Sequence, residues 1–274
     1  MNCALLLNKR FPFFVRRFEA MNSTVIGCGW LGLPLAKRLV KEGHSVCGTV
    51  RHVNKLELLE ENGIVPLIYS GEIGADLQQQ LAHTEVLIIC FPPSGSADYP
   101  GQIAELIANT SPTATVIFTS STGVYKENDG MTDEKSAVIS DHPVYLAEEQ
   151  IRNMCADRHC ILRLGGLFGD QRHPVKFMAG RSGLANGGAP VNLVHLQDVI
   201  NAILTVLSQH LRGATYNVVH PEHPGREAYY AEMAGKLQLP MPEFTQDQSY
   251  GKTVSGEKIT RETGFIYCFS LYEL

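Results

Sequence analysis

Residues 24–32 read Thr-Val-Ile-Gly-Cys-Gly-Trp-Leu-Gly, and this short run constrains the fold more than any other part of the chain. Val25 and Ile26 are β-branched and apolar, as expected for a strand that is buried on both faces. Glycines follow at the spacing GxGxxG, and residues 31–40 then carry apolar side chains at helical period. We therefore predict a strand, a tight turn and a helix in direct succession.

Each glycine of this turn has its own expected role. Gly27 permits the tight turn, Gly29 lets a pyrophosphate approach the backbone, and Gly32 lets the helix pack closely on the strand. The N-terminus of the helix offers unpaired N–H groups and a partial positive charge to phosphates. The pattern predicts a dinucleotide site that also includes Trp30 and Leu31, with a glycine-rich turn that binds no ligand as the alternative.

The rest of the chain alternates strand and helix patterns. Further strands are predicted at 45–50, 65–69, 86–91, 114–119 and 160–164. The helices predicted between them cover 53–62, 75–82, 102–108 and 144–156. This alternation predicts an α/β fold with a Rossmann-type doubly wound parallel sheet, which binds ligands beyond the carboxyl ends of its strands.

The pattern changes after Asp170. Residues 171–190 are rich in Gly and basic residues and have no periodicity, whereas a helix at 196–208, a strand at 215–219 and a helix at 227–237 are predicted beyond them. We divide the chain into a Rossmann domain at 21–170 and a small substrate-side lobe at 171–274 whose elements return to the sheet. Residues 1–20 lack a clean signal-peptide pattern and are predicted to be a poorly ordered extension.

Composition excludes several classes of protein. The chain has 23 Lys and Arg against 28 Asp and Glu, so no basic surface suggests a nucleic-acid partner. No apolar run reaches the ~18 residues of a membrane span. The cysteines show no CxxC spacing, which argues against zinc and for reduced thiols in a cytoplasmic protein. We predict no metal site; His220 and His223 are expected in a solvated loop, with metal binding there as the alternative.

Three further motifs follow the glycine turn in an order that resembles the extended short-chain dehydrogenase/reductases, the NAD-dependent epimerase/dehydratase group. They are Thr119-Ser-Ser-Thr-Gly-Val-Tyr125, Leu162-Arg-Leu-Gly-Gly-Leu-Phe-Gly169 and Val191-Asn-Leu-Val-His-Leu-Gln-Asp198. Residues 172–180 and 192–198 resemble the bacterial YeeZ-like branch of this group. The resemblance implies a nicotinamide cofactor, a polar carbohydrate-like or nucleotide-linked small-molecule substrate, and a homodimer paired through helices of the sheet layer.

The end of the second strand bears on the choice of cofactor. The dinucleotide fingerprint expects an acidic residue about 20 positions past the glycines, where it binds the ribose 2′-OH. This sequence has Arg51 there, and a guanidinium pairs with a 2′-phosphate. We therefore predict NADP, with NAD as the second choice and a water-facing Arg51 as the alternative.

Phe91, Pro92 and Pro93 are expected to flank the riboses, or simply to end the fourth strand.

In the family that the chain resembles, a Ser or Thr, a Tyr and a Lys act together on the substrate oxygen. The motif gives the hydroxyl role to Ser121, with Ser120 beside it at the cofactor. Tyr145 stands where the catalytic Tyr belongs, or is an aromatic residue that caps a helix. The Lys expected four positions later is Glu149, which would raise the pKa of the Tyr.

The missing Lys leaves three outcomes open. Another cation substitutes for it, Tyr145 acts as a neutral acid in carbonyl reduction, or catalysis is lost and cofactor binding is kept. The candidate cations are Lys126, Arg163 and Lys176. The sequence favours an NAD(P)-dependent oxidoreductase or epimerase-like enzyme, with a catalytically impaired NADP-binding sensor or scaffold as the alternative.

The segment beyond the sixth predicted strand supplies the candidate substrate contacts. Arg172, His173 and Lys176 are expected to hold a phosphate or carboxylate of the substrate, with a solvated loop as the alternative. His195 is a candidate wall of the substrate cleft, and Asp198 a candidate helix cap; both also fit purely structural roles.

Overall fold

The computed structural model describes residues 20–170, 172–246 and 250–273. Nearly all of the predicted N-terminal extension, residues 1–19, and Gln171 at the start of the predicted lobe lie outside the described residues. The strands are β1 (Asn22–Ile26), β2 (Ser45–Val50), β3 (Val65–Ile68), β4 (Val86–Ile89), β5 (Thr115–Ser121), β6 (Met131–Thr132), β7 (His159–Leu164), β8 (Gly166–Phe168), β9 (Leu193–His195), β10 (Ala214–Val218) and β11 (Thr253–Val254).

Helices connect these strands in the predicted alternation. They are α1 (Gly32–Lys41), α2 (Leu56–Glu60), α3 (Ala75–Ala82), α4 (Tyr99–Ala108), α5 (Pro143–Cys155), α6 (Val175–Met178), α7 (Leu196–Ser208), α8 (Arg226–Lys236) and α9 (Glu257–Thr263). Short 3₁₀ turns cover Val53–Lys55 and Thr122–Val124. No helix in the described ranges is both long and apolar enough to cross a bilayer.

The main sheet has seven strands in the order β10-β7-β5-β4-β1-β2-β3, and every neighbouring pair is parallel. The strand order reverses direction at β1, which lies between β2 and β4. A crevice opens at such a switch point, beyond the carboxyl ends of the strands. The predicted Rossmann-type fold is confirmed. The pairs β6–β11 and β8–β9 form two small parallel additions.

Apolar side chains of the sheet pack against a helix layer on each face. On one face α1 and α7 bury Leu35 and Ile203, which are fully excluded from solvent. On the other face α4 and α5 bury Ile103 and Ile151 in the same way. Because both faces are covered, the strands read as continuous apolar runs instead of alternating ones.

A third apolar cluster lies outside the two helix layers. It joins α6, α8 and the C-terminal residues through Val175, Tyr229 and Leu271. The Tyr229 hydroxyl donates to the carbonyl of Leu271 at 2.9 Å and lies 3.0 Å from Nε2 of His173. The segment after residue 170 therefore supplies this cluster as well as α7 and β10 of the sheet layers.

The turn between β1 and α1 brings the helix very close to the strand. Gly27 has φ +94°, a conformation that favours glycine. A Cβ atom at Gly32 would lie 2.1 Å from the carbonyl oxygen of Gly27, whereas a Cβ at Gly29 would meet nothing within 4 Å. Gly32 is therefore required by the packing of the fold, and Gly29 is not.

We expect Gly32→Ala to lower the free energy of unfolding by about 2 kcal/mol or more, because the backbone must shift to relieve the overlap. Gly29→Ala is the matched control and should stay within about 0.5 kcal/mol of the wild type. Urea denaturation followed by circular dichroism measures both. Equal stability of the two variants would contradict this account of the turn.

Candidate functional site

A cleft of about 580 Å³ lies beyond the carboxyl ends of β1, β2, β4, β5 and β7. Its volume falls within the range of small-molecule and cofactor sites. The residues predicted from the sequence that line it are Gly27, Gly29, Trp30, Leu31, Arg51, Phe91, Pro92, Pro93, Ser120, Ser121 and Arg172. The structure thus brings together the predicted dinucleotide residues, apart from Gly32, which packs behind the turn.

The floor of the cleft is the glycine turn, which is pinned to β2. The Gly27 N–H donates to Oγ1 of Thr49 at 2.9 Å, and the Cys28 N–H donates to the Thr49 carbonyl at 2.7 Å. No side chain caps the N-terminus of α1, and its first turn has no acidic residue. This helix end therefore keeps N–H groups and partial positive charge for an anion.

One wall of the cleft is formed at the ends of β2 and β4. Arg51 follows β2, and its Nη2 donates to the carbonyl of Ser94 at 3.3 Å. A side pocket of about 120 Å³ continues from this wall towards Tyr69 and Ser96. The hydroxyl oxygens of these two residues are buried and have no hydrogen-bond partner among the described residues. Both hydroxyls therefore have unused hydrogen-bonding capacity beside this pocket.

The other end of the cleft carries two serines at the end of β5. The Ser120 hydroxyl donates to Oε1 of Glu148 at 2.5 Å. Oγ of Ser121 accepts from the Gly123 N–H at 3.0 Å, which fixes the following turn. The hydroxyl hydrogen of Ser121 is not used in that bond, so it remains able to donate to a ligand.

The predicted catalytic Tyr145 is not among the residues that line the cleft. The α5 residue on the cleft wall is its neighbour Val144. The Tyr145 ring centroid lies 5.8 Å from the guanidinium carbon of Arg152. Burial, and next the carboxylate of Glu149, raise the pKa of Tyr145 above its ordinary value. The structure does not bring Tyr145 together with Ser121 at the cleft.

Glu148, one helical turn after Val144, holds a buried ion cluster beneath the serines. Its carboxylate receives Nη2 of Arg163 at 2.6 Å, Nε of Arg163 at 2.9 Å and Nη2 of Arg152 at 2.7 Å. Burial alone would raise the pKa of Glu148, but the two guanidinium groups and the Ser120 hydroxyl hold it below its ordinary value. Glu148 is therefore a carboxylate that orients Ser120.

This cluster was not predicted from the sequence. The feature that could have indicated it is a carboxylate on the apolar face of α5, between Ala147 and Ile151, which are both fully buried. A buried carboxylate needs a cationic partner. The partner Arg163 lies on β7 and is one of the candidate substitutes for the missing Lys, but its guanidinium is committed to Glu148. Neither Arg163 nor the other candidates, Lys126 and Lys176, is among the residues that line the cleft.

The four predicted substrate contacts separate in the structure. Arg172 lines the cleft, and Lys176 is exposed on α6. His173 is buried, and its Nδ1 accepts from the Val175 N–H at 3.1 Å. Burial, with the Lys176 charge as a smaller cause, lowers the pKa of His173 to about 4. His195 caps α7 through the Gln197 N–H at 3.2 Å.

The sequence predicted no metal site, and His220 and His223 were the alternative candidates for one. In residues 20–170, 172–246 and 250–273, no group of three or more His, Cys, Asp or Glu side chains is placed to hold a metal ion. Nδ1 of His220 accepts from the Glu222 N–H at 3.1 Å, and Nδ1 of His223 lies 3.0 Å from the Val191 carbonyl. These two imidazoles therefore have local backbone partners.

Comparison with known proteins identifies the family. The protein YeeZ of Escherichia coli (strain K12) is 35% identical over 259 residues, which cover 89% of this chain and 94% of that protein. The chain belongs to the YeeZ family. A family model described as NADP oxidoreductase coenzyme F420-dependent matches residues 23–120.

Solved structures of lower identity share the fold. A short-chain dehydrogenase/reductase superfamily protein from Agrobacterium tumefaciens with bound NAD has a TM-score of 0.73 at 18% identity, covering 90% of this chain and 93% of that one. UDP-glucuronic acid 4-epimerase from Bacillus cereus in complex with NAD has a TM-score of 0.72 at 17% identity, covering 92% and 93%. The YeeZ-family chain therefore shares the fold of these two NAD-bound structures.

We expect Glu148→Gln to lower the free energy of unfolding by about 3 kcal/mol or more, because it leaves the buried Arg163 charge without its partner. Glu149→Gln on the same helix removes a half-exposed ion pair with Arg152 and should cost under about 1 kcal/mol. Urea denaturation of both variants at pH 7 provides the comparison. Similar losses of unfolding free energy in the two variants would show that the buried ion pair contributes no more to stability than the half-exposed one.

Proposed function

We propose that this chain binds NADP(H) and works as an oxidoreductase or epimerase-like enzyme on a polar, carbohydrate-like or nucleotide-linked substrate. The observation that carries the proposal is one continuous cleft that joins the uncapped N-terminus of α1, Arg51 and Ser121. Solved structures that share the fold are complexes with NAD and either UDP-glucose or UDP-glucuronic acid, which supports this substrate class.

The preference for NADP rests on the wall at the end of β2. Arg51 occupies the position where an NAD site usually has a carboxylate, and a carboxylate would repel a 2′-phosphate. The unpartnered hydroxyls of Tyr69 and Ser96 in the adjoining side pocket offer further donors. NAD, which is bound in several solved structures that share the fold, is the alternative cofactor.

At the serine end of the cleft, the side chains are assigned the role of orienting the substrate for hydride transfer. A bound nicotinamide would supply or accept a hydride there, and the proton that the reacting oxygen gains or loses would be exchanged with water, because Ser121 is only half-buried. Ser121 donates its hydroxyl hydrogen to the reacting oxygen of the substrate and so orients it, while Ser120 is held by the carboxylate of Glu148. Tyr145 is given no part in this scheme, because it is not among the residues that line the cleft.

A second candidate function is dinucleotide binding without turnover. It is favoured by Glu149 in the position of the expected Lys and by the commitment of Arg163 to Glu148. Both observations remove a cation from the place where one would lower the pKa of a catalytic Tyr. Turnover assays separate the two functions.

Calorimetric titration with NADPH and NADH tests the cofactor assignment. We expect NADPH to bind more tightly, and Arg51→Gln to weaken NADPH binding at least about tenfold while NADH binding changes little, since only NADPH carries the 2′-phosphate. Arg38→Gln is the charge-matched control, because Arg38 pairs with Glu42 on α1. Unchanged NADPH affinity in Arg51→Gln would remove Arg51 from the site.

Turnover is tested with NADPH and a panel of sugar nucleotides and ketones, by loss of nicotinamide absorbance and by chromatography for epimerised sugars. We expect Ser121→Ala to abolish turnover and leave NADPH binding within about twofold of the wild type, because it removes a donor to the reacting oxygen alone. Tyr145→Phe should retain the wild-type kcat. Turnover that survives Ser121→Ala, or is lost in Tyr145→Phe, would place the chemistry elsewhere.

A wild-type protein that binds NADPH but turns over no member of the panel would favour the binding function. A wild-type protein that binds neither reduced coenzyme would contradict both functions. Binding is therefore measured first, on the folded full chain.

A further inference from the structure

Arg172 stands over the glycine turn from the far side of the cleft. Its guanidinium carbon lies 4.9 Å from the ring centroid of Trp30, and both residues line the cleft. The other basic residues that line it, among those described, are Arg51, His52 and Lys55, which all follow β2. Arg172 follows β7 and β8 in the chain. Because β2 and β7 lie on opposite sides of β1, the cleft has cations on both sides of the glycine turn.

The fold holds the backbone of Arg172 in place. Gly169 and Arg172 exchange two backbone hydrogen bonds of 2.9 Å. Gly169 has φ +120°, and a Cβ atom there would lie 2.7 Å from Nε2 of His195. The His195 ring is buried and stacks on Phe269 with a centroid distance of 4.3 Å. The turn that presents Arg172 therefore sits against a fixed aromatic pair.

Among the described residues, no carboxylate pairs with the charge of Arg172. No salt bridge in the described part of the chain includes it. The guanidinium lies over the Trp30 ring, and the planar group has N–H donors along its edges. These donors suit a phosphate oxygen, which guanidinium groups bind in a two-pronged manner.

We propose that Arg172 binds the diphosphate of the dinucleotide, together with the N-terminus of α1, and that Trp30 is the platform that orients its guanidinium. The sequence alone assigned Arg172 to the substrate. The contact with Trp30 places it instead beside the turn that receives the pyrophosphate. This inference rests on the proposed dinucleotide function and adds a cofactor-binding residue from the segment after residue 170.

The experiment compares ligands that differ in the diphosphate. Calorimetry measures the binding of NADP⁺, of 2′-phospho-ADP-ribose and of 2′-AMP, which lacks both phosphates of the diphosphate. We expect Arg172→Gln to weaken the first two ligands at least about tenfold and to leave 2′-AMP within about twofold of the wild type, since a charge-assisted contact is lost only where a diphosphate is present. Arg172→Lys should fall between, because it keeps the charge and loses the planar fork.

Arg181→Gln, an exposed basic residue of the same segment, is the control for net charge and should match the wild type. Circular dichroism reports the folding of each variant, and the emission of Trp30, since the chain has 1 Trp, reports ligand binding at the turn. A general disturbance of the fold would weaken all three ligands alike, which would overturn the proposal.

Two further results would overturn it. Arg172→Gln could bind all three ligands like the wild type, or could raise the KM of a substrate while NADP⁺ affinity stays unchanged; the second result would return Arg172 to the substrate. Failure of the proposed function itself is recognised separately, since the wild type would then bind none of the dinucleotide ligands.

Discussion

The close approach of α1 to the end of β1 is the constraint on which the whole cleft depends. A Cβ atom at Gly32 would lie 2.1 Å from the Gly27 carbonyl oxygen, so the helix can start only where a hydrogen replaces that atom. Two hydrogen bonds to Thr49 fix the same turn to β2. Together they direct the uncapped end of α1 into the space beyond the sheet. An anion at that point meets backbone N–H groups and the helix dipole before any side chain is considered.

A buried carboxylate, Glu148, determines which groups at the serine end of this cleft can contact a ligand. Glu148 is fully excluded from solvent, and it is stabilised there by two guanidinium groups and the Ser120 hydroxyl. Cations that a proton relay through a tyrosine would need are thereby neutralised in a structural ion cluster. Ser121 and Arg172 are left as groups that can meet a ligand without first breaking a buried pair, which favours orientation of a bound molecule over proton transfer by the protein.

The sequence predicted the fold and most of the cleft because both follow from local periodicity. The helices at Ala75–Ala82 and Leu196–Ser208 have the predicted bounds, and residues at the ends of parallel strands meet in one crevice. The start of α4 at Tyr99 was missed although Asp98 and Pro100 are a start signal in the sequence, and the Asp98 carboxylate accepts from the Gly101 N–H. Adjacent helix residues differ by about 100° in direction, so whether Val144 or Tyr145 faces the cleft depends on tertiary packing. Likewise, the partner of Glu148 comes from β7, and those of His173 and His195 come from α8 and the C-terminal residues.

The C-terminal residues contribute to the cleft without lining it. Asp198 in the first turn of α7 is fully buried and accepts the N–H groups of Cys268 and Phe269 at 2.9 and 3.3 Å. Burial raises the pKa of Asp198 to about 6, although the two amide donors oppose that rise. The same bonds hold Phe269 against His195, which in turn supports Gly169 and the turn that presents Arg172. A chain of contacts thus runs from the last residues of the protein to the mouth of the cleft. His195 and Asp198 act in it by positioning backbone, which explains why two ionisable side chains that resemble site residues in the sequence are buried behind the site.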